Sequence, residues 1–318
     1  MKLKIYNCSN SAGRPPHRSE SFGPKENDII RGLKSYCNQY DAEFIDNPIL
    51  SNVIITNDIF PSEIVSLGKP LIKRMDGIYW DRNRDRNEPL NKAARQAEHV
   101  IFISEYSRDT YFKMYGQPLK QHSVVLNQMD NNVFYSYKGN IGKELKWAAA
   151  ASNWSRPEKR FNDLLVFSDM IRRNGETLHL IGNCDIKELP DNIIKEGYID
   201  DENTINYVLN GVGAFVNLSY RDPAPKVVCQ AVNVGLPVLF ADSGGTNELV
   251  KVGTGIYDKT DDGWESETPR LTSYRIERGY NMFKEHFYRM RDSASGEKRS
   301  YQEMLKGYFD VMRKAVTK

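Results

Sequence analysis

Short apolar runs alternate with amphipathic stretches of roughly ten to fifteen residues along most of this chain, the pattern of strand-helix units that build parallel sheets. In the first half, Leu3 to Cys8, Glu43 to Ile45, Val53 to Thr56, Pro70 to Met75, Val100 to Ser104 and Ser123 to Leu126 read as strands. Between them Asn27 to Gln39, Asn91 to Gln96 and Ser107 to Tyr115 read as helices. The last of these stops at Gly116 with Pro118 beyond, because glycine accepts the left-handed turn that ends a helix and proline cannot continue one. The second half repeats the alternation, with strands near Lys146 to Ala151, Leu178 to Ile181, Ala214 to Leu218 and Pro237 to Ala241 and helices from Phe161, Thr204 and Val227. After Gly255 the strand pattern fades. Ser273 to Arg291 and Ser300 to Lys314 read as charged helices whose apolar positions, Met304, Tyr308, Val311 and Met312 among them, recur at helical spacing.

Between the halves, Tyr137 to Lys146 turns polar and carries Gly139, Asn140 and Gly142, the composition of a linker. The expected division is a first α/β domain over 1–142, a second over 143–272, and C-terminal helices over 273–318. A length of 318 residues, about twice that of one compact domain, suits two domains facing a cleft. A net charge of +2 leaves no strongly basic footprint and so does not demand a nucleic-acid partner. Cys8, Cys37, Cys184 and Cys229 are scattered without CxxC pairing, which fits a reducing, cytoplasmic setting. No run approaches the ~18 apolar residues that span a bilayer, and the start of the chain lacks the apolar core of a signal peptide. The expectation is a soluble protein, with peripheral membrane contact left open.

The chemistry concentrates between Gly197 and Val250. Leu218-Ser219-Tyr220-Arg221-Asp222-Pro223-Ala224-Pro225 is a strand end and proline-rich turn, and a helix opens near Lys226 and Val227. Gly235-Leu236-Pro237-Val238 then leads into a buried strand that ends in Ser243-Gly244-Gly245-Thr246-Asn247-Glu248. Loops at the carboxyl ends of parallel strands are where such sheets bind ligands. A helix start offers amide groups and a positive dipole end to an anion, while Gly244 and Gly245 allow close backbone approach. The segment resembles the donor-site signature of GT4-like retaining glycosyltransferases: an acidic residue, seven intervening residues, Glu-Ala, then Gly-x-Pro-Val and Gly-Gly-x-x-Glu. The resemblance implies that Asp222 holds sugar hydroxyls and Gln230 the ribose, with Lys226, Val227, Gly244 and Gly245 around the remaining donor atoms. Two residues depart from the pattern. Asp222 is shorter than the usual Glu, and Gln230 keeps an acceptor oxygen without the charge.

Upstream, Ser152 to Phe161 holds Arg156, Lys159 and Arg160 just past a strand. Fixed cations stabilise the charge that develops on a departing diphosphate. The stretch is similar to the same family's Arg-x-x-x-x-Lys loop, with Trp154 where the Arg usually stands, so Lys159 carries over directly and Arg156 as a substitute. The plainer alternative is a solvated helix start. In the first half, Arg74-Met75-Asp76-Gly77 ends a strand and resembles the acceptor-side segment of some relatives, which makes Asp76 a candidate to orient or deprotonate an acceptor hydroxyl. The alternative is a turn residue capping Gly77. The loop from Asn10 to Lys25, with Gly13, Arg14, His17 and Arg18, follows the first strand, where relatives carry an acceptor-side loop; it also reads as an ordinary surface loop.

No His, Cys or carboxylate cluster has metal-ligand spacing, and Arg82, Arg84 and Arg86 interleave the aspartates near Asp81 to Asp85. Neither a metal nor a cofactor beyond the nucleotide-sugar donor is expected. Taken together, the resemblance implies a GT-B fold, two Rossmann-like doubly wound parallel sheets facing a cleft, with a final helix crossing back to brace the first domain. It implies transfer of a sugar, with retention, from a nucleotide-diphosphate sugar to a hydroxyl on a glycan or lipid-linked glycan. Two rivals stand beside it: a sugar-nucleotide-binding protein without catalysis, and a transferase acting on hydroxymethylated pyrimidines in DNA. A Rossmann oxidoreductase is disfavoured because no Gly-x-Gly-x-x-Gly follows the first strand.

Overall fold

A parallel sheet covered by helices buries both sides of its strands, which therefore read as continuous apolar runs. The structure, a computed structural model describing residues 2–9, 28–78, 84–116, 118–137, 145–258, 268–294 and 300–317, contains two such sheets. The first unit comprises Met1–Leu126 with Tyr301–Lys318. Its elements run β1 (Leu3–Asn7), α1 (Asp28–Tyr36), β2 (Ala42–Phe44), β3 (Val53–Thr56), α2 (Ser62–Val65), β4 (Leu71–Met75), α3 (Asn87–Gln96), β5 (His99–Phe102), α4 (Glu105–Tyr115) and β6 (His122–Val124). The six strands pair in parallel in the order β2-β1-β3-β4-β5-β6. Each described residue of β3, β4 and β5 is buried, including the polar Thr56, Lys73, Arg74 and His99 among their apolar neighbours.

The second unit, Asn127–Ser300, runs β7 (Lys146–Asn153), α5 (Phe161–Arg172), β8 (Thr177–Asn183), β9 (Ile193–Gly197), α6 (Glu202–Asn210), β10 (Ala214–Asn217), α7 (Lys226–Val234), β11 (Val238–Asp242), α8 (Thr246–Leu249), β12 (Gly253–Tyr257) and α9 (Ser273–Ala294). Its strands are again parallel, in the order β12-β11-β10-β7-β8-β9. The chain builds outward from β7 in one direction and then restarts at β10 on the other side. The core centres on Trp147, wholly buried against Phe167 and Phe283, with its indole N–H donated to Glu176 at 2.7 Å.

The last helix, α10 (Tyr301–Val316), packs in the first unit. Leu305, Tyr308, Phe309 and Met312 are fully buried there. Side chains of this kind contribute roughly 1.5–3 kcal/mol each when removed from water, so α10 is part of that core. Gly32 on α1 leaves room for the Tyr301 hydroxyl, which a Cβ at that position would displace.

Two features differ from the sequence expectation. The edge strands β9 and β12 were not read as strands. One side of an edge is solvated, so β9 mixes Ile with Lys and Glu, and β12 carries two glycines. The polar change at Tyr137 to Lys146 also lies downstream of the division between units. Residues before it already belong to the second unit: Asn233 Nδ2 donates to the Met129 carbonyl at 2.7 Å, and the Asn206 and Asn210 side chains accept the Tyr135 and Tyr137 amides at 3.2 and 2.6 Å. Polar composition reports solvent contact, whereas these hydrogen bonds report attachment.

Candidate functional site

Where a doubly wound sheet reverses direction, the loops leaving the two central strands diverge and open a crevice at the strand carboxyl ends. In the second unit those strands are β7 and β10. The loop after β7 runs through Trp154 to Arg160 and the loop after β10 through Leu218 to Pro225, so Lys159 and Asp222 sit at the switch point. Lys159 Nζ donates to Asp222 Oδ2 at 2.8 Å, although the two residues are 63 positions apart. Their side chains are 13% and 18% exposed, so water reaches the pair without surrounding it. A second tie lies beside it, where the Tyr220 amide donates to the Glu158 carbonyl at 2.8 Å.

The glycine loop joins the same construction. Gly245 N–H donates to the Asp222 carbonyl at 3.0 Å, and a Cβ on Gly244 would lie 2.4 Å from that oxygen. The absent side chain at Gly244 thus lets the loop after β11 seat on the Asp222 turn. Ser243 Oγ accepts the Arg221 amide at 3.2 Å, and Asn217 links Ser219 to Thr246 at 2.9 and 3.3 Å. Pro225 caps α7, so the helix begins at exposed Lys226 and half-buried Val227, while Gln230, in its second turn, is buried.

Trp154 is a core residue, with its indole N–H donated to the Ile181 carbonyl at 3.0 Å. It supplies no charge. Arg156, the substitute cation, is 42% exposed and pairs with Glu158. Arg160, by contrast, is only 3% exposed and does not belong to a solvated helix start. Its backbone is left-handed at φ 50°, a conformation costing a side-chain-bearing residue roughly 1–2 kcal/mol. Sequence reading missed the partners that hold it there: both oxygens of Asp258, at 2.5 and 3.3 Å, and the Pro269 carbonyl, at 2.8 Å.

In the first unit, Asp76 lies just beyond β4, is half exposed, and accepts from Arg74 Nη1. Arg74 itself is buried and donates through Nε to the Tyr308 hydroxyl at 3.0 Å, tying β4 to α10. Lys73, on the same strand, is fully buried, and its Nζ donates to the Arg74 carbonyl at 2.7 Å. Burial lowers its pKa to about 7, with Asp58 acting in the opposite direction. Gly13, Arg14, His17 and Arg18 lie outside the described residues, as does Arg82. Among the described residues, no group of three or more His, Cys, Asp or Glu is placed to hold a metal ion, and no helix is long and apolar enough to cross a membrane.

No protein-family model matches the chain, and no curated protein matches it by sequence. Solved structures do. WaaG, a glycosyltransferase involved in lipopolysaccharide biosynthesis, superimposes with a TM-score of 0.68 at 10% identity, over 98% of this chain and 99% of its own. A glycosyltransferase from Rickettsia africae gives 0.66 at 11% identity over 99% of both chains. Anabaena HepE in complex with UDP-glucose gives 0.62 at 14% identity, covering 99% of this chain and 98% of that one. The chain has the GT-B fold. The likeness takes in both sheets and α10, so the GT-B architecture describes the whole chain and not one Rossmann-like half. Within this GT-B chain, Lys159, Asp222, Gly244 and Gly245 are brought together at the switch point of the second sheet, and Asp76 stands at a strand end of the first.

Proposed function

We propose that the chain is a retaining glycosyltransferase that moves a sugar from a nucleoside-diphosphate sugar to a hydroxyl of a glycan or glycolipid. The observation that carries this reading is the Lys159–Asp222 pair at the switch point, with the glycine loop seated on it. A diphosphate needs fixed positive charge, which Lys159, Arg156 and the amide end of the nine-residue α7 supply. A sugar needs hydrogen-bond acceptors, which Asp222 provides. Gln230 is assigned to the ribose. HepE, bound to UDP in one structure and UDP-glucose in another, supports the donor class.

In the reaction the bond from the sugar's anomeric carbon to the diphosphate oxygen breaks, and a bond to the acceptor oxygen forms on the same face. The acceptor proton passes to the departing diphosphate, whose negative charge Lys159 and Arg156 stabilise as it grows. Asp76 is the acceptor-side residue of this reading, and its half-exposed carboxylate can orient a hydroxyl. The positive groups named carry the charge compensation, so the reading calls on no resident metal. Four cysteines scattered without CxxC pairing support a reducing compartment.

A thermal-shift panel of UDP, GDP and ADP with their common sugars tests the donor assignment, since a ligand that binds only the folded chain raises its melting temperature. One base is expected to stabilise the protein, and its sugar is expected to release nucleoside diphosphate when a glycan acceptor is added. Stabilisation without release under any acceptor would leave a sugar-nucleotide-binding protein. Silence across the whole panel would overturn the site.

A further inference from the structure

We propose that Arg160 is a positioning residue of the donor site: buried and held by Asp258, Pro269 and Tyr220, it fixes the adjacent Lys159 against Asp222. The inference rests on the donor reading above and adds to it a residue that touches no ligand. Its basis is a conflict inside one residue. Arg160 carries a left-handed backbone that a Cβ disfavours and a charge that burial disfavours, yet both are kept.

The compensation is directional. The guanidinium spends its fork on both carboxylate oxygens of Asp258, immediately after β12, while Nε reaches the Pro269 carbonyl. Its planar face lies 4.7 Å from the centre of the Tyr220 ring. Tyr220 in turn donates its amide to Glu158 and stands two residues before Asp222. The loop bearing Lys159 and the loop bearing Asp222 are therefore clamped by three contacts in consecutive residues: Glu158 to the Tyr220 backbone, Lys159 to Asp222, and Arg160 to the Tyr220 ring. Asp163, in the first turn of α5, extends the anchor by accepting the Leu271 amide at 2.9 Å and the Arg270 Nε. A planar, forked cation can satisfy a carboxylate, a carbonyl and an aromatic face at once. A lysine cannot.

The left-handed turn gives the clamp a use. It separates the short Pro157–Lys159 helical turn from α5 and so sets where the Lys159 side chain starts. Glycine adopts this conformation freely, so a glycine would relieve the backbone without keeping the clamp.

The experiment compares the parent with R160K and with the double variant R160G/D258N. The double variant removes both buried charges and so avoids stranding Asp258, which R160G alone would do. Folding is checked by melting temperature, and UDP affinity is measured by calorimetry on variants that remain folded. Independently, acetylation of Lys159 by acetic anhydride is followed by mass spectrometry without any ligand. The expected results are a loss of at least about tenfold in UDP affinity and kcat for R160G/D258N, a smaller loss for R160K, and severalfold faster Lys159 acetylation in the double variant. Unchanged acetylation and UDP affinity in a folded R160G/D258N would overturn the proposal. If the parent binds no nucleoside diphosphate while Lys159 acetylation still rises, the donor reading fails and the positioning role stands.

Discussion

The strand carboxyl ends of the two sheets are built from the same parts and use charge in opposite ways. In the second unit a cation and an anion, Lys159 and Asp222, meet at the switch point with water still in reach. In the first unit the charges on β4 turn inward: Lys73 is sealed off entirely, Arg74 is spent on Tyr308 and Asp76, and only Asp76 stays half exposed. A charge that water can reach is one a ligand can also reach. At its switch point the second unit therefore leaves the Lys159–Asp222 charges within reach of water, while β4 of the first unit commits Lys73 and Arg74 to contacts inside that unit.

The sharpest way to break this comparison is Lys159→Ala. The variant loses the cation that meets growing negative charge on the diphosphate, and transfer is expected to fall by about 100- to 1000-fold. The fold should persist with a lowered melting temperature, because removing Lys159 leaves the Asp222 carboxylate, only 18% exposed, without its cation. Nucleoside diphosphate release and thermal unfolding of the same sample give both answers. A fold that collapsed with Lys159 would make this pair structural, like Arg74.

Lys73→Met tests the other side. Burial lowers the folded pKa of Lys73 to about 7, against 10.5 when exposed. Between those values the unfolded chain holds the additional proton, so this group makes the parent more stable as pH rises, by up to about 1.4 kcal/mol per pH unit. Below about pH 7 the penalty is fully present and constant. Lys73→Met lacks the group, so its stability relative to the parent should be greatest at pH 7 and shrink by pH 9. The Cys8 thiol, pushed up to about 11 by burial, has the opposite slope, which enters only above its ordinary 9.0. Urea unfolding at pH 7, 8 and 9 measures the difference; a flat one would mean that Lys73 stays charged in the fold. Nucleoside diphosphate binding should not change.

Gly244→Ala is expected to have a smaller effect on stability and a clear one on the site. The new Cβ would sit 2.4 Å from the Asp222 carbonyl oxygen and 2.9 Å from its nitrogen, and neither backbone atom can rotate away. Overpacking of this kind costs roughly 1–3 kcal/mol, and the displaced Asp222 turn should weaken donor binding in parallel. Urea unfolding and UDP calorimetry on the variant report the two effects.

Much of this was legible in the sequence, and the remainder divides by physical cause. Lys159 and Asp222 were readable because the segments that carry them resemble known donor-site motifs of GT4-like glycosyltransferases. Their contact was not, since it depends on two loops 63 residues apart. The glycine loop was read as room for a ligand, whereas in the structure the space at Gly244 is taken up by the Asp222 backbone. Arg160 looked like one more surface cation in a basic cluster, because the Asp258 that buries it falls where the strand pattern fades. Trp154 was visible as a departure from the family pattern, and the structure makes it a buried core residue bonded to the Ile181 carbonyl. Edge strands β9 and β12 escaped because their outer sides are solvated.

Asp222→Asn gives the smallest effect and discriminates most finely. The substitution keeps the shape and removes one charge, leaving Lys159 beside a neutral amide. In the parent, a nucleoside diphosphate must compete with Asp222 for that ammonium; in the variant it need not. Free nucleoside diphosphate is therefore expected to bind roughly three- to tenfold more tightly, about 1 kcal/mol, with the gain shrinking as salt screens the interaction. Sugar transfer should fall, because the sugar loses a carboxylate acceptor. Calorimetry at two salt concentrations, set beside nucleoside diphosphate release, separates these effects. Weaker nucleoside diphosphate binding in Asp222→Asn would show that the carboxylate aims Lys159 at the diphosphate, with the pair acting as a single rigid element and not as a competitor.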